Sequence, residues 1–247
     1  MTERSGFLDH DGERLAWRRI DGSGPTVVWL GGFRSDMTGT KAQALADAAT
    51  ADGWSFMRFD YSAHGASSGD WLDATIGRWR SDALAIIDAL TDGPLVLVGS
   101  SMGGWMACLV GIARPARLHA LVLIAPAADF IERLMRPGLK TEALRELELN
   151  GVWMQPHDFD GPYAITQRFL DEGRDHSILE CSVPVTCPVR ILQGQRDESV
   201  PWEHALKLAG ALESADVVFT LIKAGDHRLS TPQDIARLIA TVAEVRK

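Results

Sequence analysis

The chain has 247 residues, 46% of them hydrophobic, and a formal net charge of -8. That length and apolar content fit one α/β domain with a sizeable core. The acidic balance argues against non-specific nucleic-acid binding, the three cysteines Cys108, Cys181 and Cys187 match no zinc or haem spacing, and no window reaches the roughly 18 apolar residues of a membrane helix.

The first residues, MTERSGFLDHDGERLAWRR, interleave acids and bases around no apolar segment. They read as neither signal nor transit peptide, and a cytoplasmic location is expected. Within them, FLDHDGERLAW predicts a hairpin turning at His10-Asp11-Gly12. Short runs rich in Val, Ile, Leu or Phe follow: TVVWL (26–30), SFMRFD (55–60), LVLVG (95–99), ALVLIA (120–125), VRILQG (189–194) and VVFTLI (217–222). Each ends at Gly, Pro or Asp or beside one, and each reads as a strand buried on both faces of a parallel sheet. Between them, residues 40–52, 73–91, 102–113, 201–213 and 231–245 carry apolar residues at helical spacing, with Thr75, Pro201 and Pro232 near helix starts. Strands alternating with helices predict βαβ units and a mostly parallel sheet flanked by helices. The long stretch at about 127–185 breaks this rhythm; ADFIERLM, LKTEALRELEL and AITQRFLDEG predict helices there, and we read a small helical cap inserted into a domain spanning 1–247.

Residues 99–103, GSSMG, carry a G-x-S-x-G frame with Ser101 at its centre. Ser100 fails the frame, because Val98 stands two positions before it. The frame marks a sharp strand-to-helix turn in which small residues let neighbouring backbone pass close by, and LVLVG followed by 102–113 supplies that context. A serine hydroxyl needs a base. Of His10, His64, His119, His157, His176, His204 and His227, only His227 follows the last predicted strand, in the Gly-Asp turn of LIKAGDHRLS. His64, in the loop after SFMRFD, is expected on the pocket rim and is the second candidate for the base. The acid is expected after a strand between serine and histidine; Asp197 in VRILQGQRDESVP fits best, ahead of Asp129, Asp226 and Glu198. Backbone N–H groups of Met102 and Phe33 are expected to face the developing oxyanion, with Gly31 and Gly32 permitting close approach. A histidine base predicts that activity is lost in acid as the imidazole takes up a proton.

The elbow, the Ser…Asp…His order and the late cap resemble the α/β-hydrolase superfamily. More narrowly, MTGTKA (37–42), RFDYSAHGASSG (58–69), DGPLVLVGSSMGGW (92–105), IARP (112–115), GVWMQP (151–156), VPW (200–202) and DHR (226–228) are similar to the branch that contains palmitoyl-protein thioesterase and mycophenolic acid acyl-glucuronide esterase activities. The resemblance implies hydrolysis of acyl esters, S-acyl thioesters and acyl glucuronides, with Ser101, Asp197 and His227 as nucleophile, acid and base. A small acyl ester or an S-acylated protein or peptide is the expected partner, with no nucleic acid, membrane, metal or cofactor. Phe130, Leu134, Met135, Trp153, Met154 and Phe169 stand as an acyl channel or as cap core, and Arg34 as a ligand for an anionic leaving group or as a solvated rim residue. A peptidase and a non-catalytic binding protein remain the competing readings; oligomeric state is left open.

Overall fold

The computed structural model describes residues 2–156 and 161–247; His157 lies outside them. The chain opens with strands β1 (Glu3–His10), β2 (Glu13–Ile20) and β3 (Ser23–Leu30). Helix α1 (Thr40–Asp52), strand β4 (Trp54–Phe59), a 3-10 turn (Trp71–Asp73), α2 (Ile76–Leu90), β5 (Leu95–Ser100), α3 (Met102–Ala113) and β6 (Leu118–Ile124) follow. The insertion then contains a π-helical turn (Ile131–Met135), the short α4 (Arg136–Gly138), α5 (Thr141–Asn150), β7 (Val152–Gln155), β8 (Tyr163–Thr166) and α6 (Gln167–Arg174). The chain closes with β9 (Val189–Gly194), α7 (Trp202–Ala211), β10 (Val217–Ile222) and α8 (Pro232–Val245).

Eight strands form one sheet in the order β1-β2-β4-β3-β5-β6-β9-β10. The six from β4 to β10 run parallel, and β1 and β2 add antiparallel pairs at one edge. Asp11 and Gly12 take positive φ at the hairpin turn, the two-residue turn whose twist matches the strands. Strands β4 and β5 are buried at every residue, which fits their unbroken apolar runs. Strand β10 differs from expectation: as the outer strand it leaves Val218 and Leu221 exposed, because no neighbour covers its outer side.

Alternation within the strands feeds two cores. Val28 and Leu30 face α2, α3 and the insertion; Val27 and Trp29 face α1 and α8. Side chains set the starts of three of the helices, α2, α6 and α8. Thr75 accepts from Arg78 N–H to begin α2, and Thr231 with Asp234 forms a capping box on α8. The cap differs from an all-helical one, since β7 and β8 pair antiparallel. Helix was expected from Ala164, but Ala164, Ile165 and Thr166 complete β8 and α6 starts only at Gln167, where the Thr166 hydroxyl caps it. The β-branched Ile165 and Thr166 favour an extended form once a partner strand is present. No helix among the described residues is long and apolar enough to cross a membrane.

Candidate active site

Three loops at the C-terminal ends of parallel strands meet. Ser101 lies between β5 and α3 with φ 55° and ψ -121°, a conformation rare for any side chain but glycine. Neighbouring backbone holds it there: its N–H donates to Ile124 O at 2.9 Å, and its carbonyl accepts from Gly104 and Ala127 N–H. The two glycines of the frame are required by contact. A Cβ on Gly99 would meet Gly103 O at 2.1 Å, and one on Gly103 would meet Leu30 O at 2.0 Å. Gly103→Ala should therefore push α3 against the end of β3, costing about 3 kcal/mol, the upper end for overpacking. Gly210→Ala, with no atom within 4 Å of the added Cβ, is the control and should not lower stability. Urea unfolding of both variants checks this, and equal midpoints would refute the contact argument.

His227 bridges the other two groups. Its Nε2 is 3.0 Å from Ser101 Oγ and its Nδ1 is 2.8 Å from Asp197 Oδ2. Backbone contacts between the two loops make this reach possible. Gln195 N–H donates to Ile222 O and Arg196 N–H to Gly225 O, each at 2.9 Å. Asp197 Oδ1 accepts from Ser199 and Val200 N–H, and Oδ2 also accepts from Gln193 Nε2. Burial pushes the Asp197 carboxyl up, but the hydrogen bonds from His227, Val200 and Gln193 outweigh it and hold its pKa below the usual carboxylate value. With both carboxylate oxygens so engaged, an Nδ1 proton on His227 points at Asp197, and the Nε2 lone pair faces the serine hydroxyl.

Several of the other candidate carboxylates and histidines have partners of their own. Asp129 accepts from Ile178 and Leu179 N–H inside the insertion, and Asp226 accepts from Leu229 N–H. His10 contacts Ser81, His176 contacts Glu172 and His204 contacts Ala128 O. Glu198 is exposed.

Phe33 lies in a turn over Ser101: a Cβ on the preceding Gly32 would sit 3.3 Å from Ser101 Cβ. The Phe33 ring packs against Trp71, Trp79, Phe130, Tyr163 and Phe169 at centroid distances of 5.2–5.9 Å, tying this turn to the insertion. Met102 begins α3, where the first N–H groups have no partner in their own helix. Two cavities open beside Ser101 and His227. One, about 590 Å³ and termed the apolar cavity after Met102, Ala127, Phe130, Leu134, Met135 and Val200, is lined also by Gln155, Ser199 and Arg228. The other, about 470 Å³ and termed the polar cavity after Arg34, Ser35, Asp36, Lys41, Arg228 and Ser230, is lined also by Trp29 and Phe33. Burial lowers the Lys41 pKa, partly offset by Asp226.

Several expected pocket residues sit differently. Trp153 packs against the apolar core and lines neither cavity, whereas Gln155, two residues on, lines the apolar one. Phe169 packs under Phe33, and Met154 faces a third cavity with His64 and Trp71. The Arg34 guanidinium lies 4.3 Å above the Tyr163 ring, a cation–π contact at the border of the polar cavity. Gln155, Tyr163, Lys41 and Val200 were not singled out from sequence; the stretches GVWMQP, MTGTKA and VPW contained three of them.

His64 is 4% exposed, and both its ring nitrogens are engaged within the protein. Burial pushes its pKa down to about 4. A free imidazole titrates near about 6.5, so between those values only the unfolded chain binds this proton. Stability from His64 is therefore fully present above about pH 6.5 and declines toward about pH 4, by up to ~3 kcal/mol. Burial lowers the His204 pKa with the same sign, while it raises those of Asp60 and Asp82, which act oppositely at lower pH. Unfolding of wild type and His64→Gln at about pH 7 and about pH 4.5 isolates the His64 share: the variant should lose less stability on acidification, and parallel losses would exclude it.

Comparison with known proteins now places this geometry. Residues 25–167 match the family described as serine aminopeptidase, S33. The mitochondrial palmitoyl-protein thioesterase ABHD10 of Mus musculus is 40% identical over 233 residues, covering 94% of this chain and 78% of that protein. A putative hydrolase from Agrobacterium vitis S4 superposes with a TM-score of 0.94 at 40% identity, covering 100% of this chain and 99% of the other. The solved mouse α/β hydrolase domain-containing protein 10 gives a TM-score of 0.89 at 39% identity, covering 98% and 97%. The chain therefore belongs to the serine aminopeptidase S33 family, has the α/β-hydrolase fold in common with these relatives, and is a hydrolase.

Proposed function

We propose that the protein is a serine hydrolase that cleaves carboxylic ester and thioester bonds through an acyl-enzyme. The hydrogen-bonded chain Asp197–His227–Ser101 is the observation that carries this reading. His227 Nε2 accepts the Ser101 proton as Oγ attacks the acyl carbonyl, and Asp197 stabilises the imidazolium through Nδ1–H. The oxyanion is met by the N–H groups of Met102 and Phe33. Collapse of the tetrahedral intermediate expels the alcohol or thiol, which takes the proton from His227. Water, deprotonated by His227, then attacks the acyl ester, releasing the carboxylic acid and restoring Ser101.

The two cavities divide the substrate. The side chains of Phe130, Leu134 and Met135 in the first suit an acyl chain, and Arg34 and Lys41 beside Asp36 in the second suit an oxygen-rich leaving group. The names of the ABHD10 relatives favour S-acylated proteins among such substrates. Labelling of Ser101 in folded protein by a fluorophosphonate tests the reading. A panel of p-nitrophenyl esters of increasing chain length, S-acyl peptides and an acyl glucuronide then ranks the substrates. Folded wild-type protein that neither labels nor turns over any of them would instead support a ligand-binding role.

A further inference from the structure

Gln193 lies in β9, between β6 and β10, and is fully buried. Its amide nitrogen reaches three acceptors: Gly194 O at 3.2 Å, and Asp197 Oδ2 and Val200 O at 3.1 Å each. Its Oε1, also buried, has no partner among the described residues. A buried acceptor left unpaired is costly. Turning the amide over would not mend this, because Oε1 would then face two carbonyls and a carboxylate. The three oxygens therefore fix which way round the amide lies, and the unpaired Oε1 is the consequence.

All three acceptors lie on one stretch of chain. It leaves β9 at Gly194, carries Asp197 and enters α7 past Val200. Asp197 Oδ1 accepts from Ser199 and Val200 N–H, but these donors belong to the same loop and fix the carboxylate only relative to it. The backbone bonds of Gln195 and Arg196 tie the start of the loop to the His227 loop and stop short of Asp197. Gln193 differs from both, because its backbone is paired within the sheet opposite Leu221. Its bond to Asp197 falls on Oδ2, the same oxygen that accepts from His227 Nδ1. A carboxylate has about four acceptor positions, and with Gln193 in place each oxygen has two donors.

We propose that Gln193 is a positioning residue for hydrolysis, its Nε2 pinning Asp197 Oδ2 to strand β9 so that the carboxylate keeps one orientation toward His227. The proposal rests on the serine-hydrolase reading above, with Asp197 as the acid. Without this donor, Oδ1 is still held by its own loop, but Oδ2 can swing about that anchor and carry the imidazole off line. A misplacement of about 1 Å at a reacting centre can cost on the order of 10²-fold in rate. Gln193 touches neither Ser101 nor the scissile bond in this scheme; it acts through Asp197.

Gln193→Met keeps an unbranched chain of similar length in the slot, removes the donor and removes the unpaired oxygen as well. With p-nitrophenyl butyrate it should lower kcat by about 5- to 30-fold and leave KM within about twofold. The same substitution in an Asp197→Asn background separates positioning from packing. There the Asn amide nitrogen faces Gln193, no donated bond remains to be lost, and Gln193→Met should change kcat by less than about twofold. A residue that only packs would cost the same factor in both backgrounds. If Gln193→Met does not fold, Gln193→Leu takes its place in both arms. An unchanged kcat in the folded single variant overturns the proposal, and so does an equal loss with and without the Asp197 carboxylate. Fluorophosphonate labelling of wild type runs alongside: its absence defeats the serine-hydrolase reading itself, whereas labelled wild type with an indifferent Gln193 variant defeats only the positioning role.

Discussion

Ser101→Ala is expected to lower kcat for a p-nitrophenyl ester by ~10⁵-fold or more, with KM and Tm near their wild-type values. The substitution removes the one oxygen that His227 Nε2 contacts and leaves the elbow backbone as it was. Alanine meets the same left-handed φ that serine already tolerates, so the fold has no new strain to absorb. Ser100→Ala is the paired measurement. Ser100 is the last residue of β5 and buried, and it is the Ser101 hydroxyl that His227 contacts, so most activity should survive. Steady-state kinetics and fluorophosphonate labelling of both variants decide the matter. An inactive Ser100→Ala beside an active Ser101→Ala would overturn the frame.

Asp197→Asn is expected to cost ~10⁴-fold in kcat, because it reverses the histidine tautomer. Asn Oδ1 can still accept from Ser199 and Val200 N–H, which turns the amide nitrogen toward His227 Nδ1. His227 must then accept at Nδ1 and carry its proton on Nε2, against the serine hydroxyl, where it cannot act as base. The Gln193 amide, which donates to Asp197 Oδ2, would face another donor, so a fall in Tm by a few degrees should accompany the loss. Binding of a boronic acid, which needs the serine and the oxyanion donors, should weaken far less than kcat falls. An Asn variant within tenfold of wild-type kcat would show that Asp197 does not set the tautomer.

The elements most readable along the chain are those in which local preference and burial agree. LVLVG reads as strand and lies buried at the sheet centre, and 102–113 coincides with α3. The G-x-S-x-G frame could be seen for a related reason: a Cβ on either glycine would meet backbone oxygen at 2.0–2.1 Å, so the turn admits no larger residue there. Reading failed where a partner strand decides the outcome. AIT alone suits a helix, yet pairing with β7 makes it β8. Within VWMQ, alternation puts Trp153 and Gln155 on one face of β7, yet Trp153 packs on the core and Gln155 lines the cavity, a difference set by what lies along that face and not by local pattern. Likewise VVFTLI has the apolar content of a buried strand, but its place at the end of the sheet order leaves two of its six residues exposed and none fully buried.

His64 marks the boundary between the two kinds of knowledge. The chain, read residue by residue, established a parallel αβ layout, a strained serine and a histidine after the last strand, because each follows from periodicity, turn chemistry and order along the backbone. It could only put His64 on a rim. That Arg34, thirty residues away, is left-handed, and that its N–H ends on the His64 Nε2 lone pair, follows from how the loops after β3 and β4 pack beneath the insertion. Hydrogen bonds between distant loops depend on where the sheet brings them, and no local pattern encodes that meeting. The same holds for the aromatic rings gathered on Phe33.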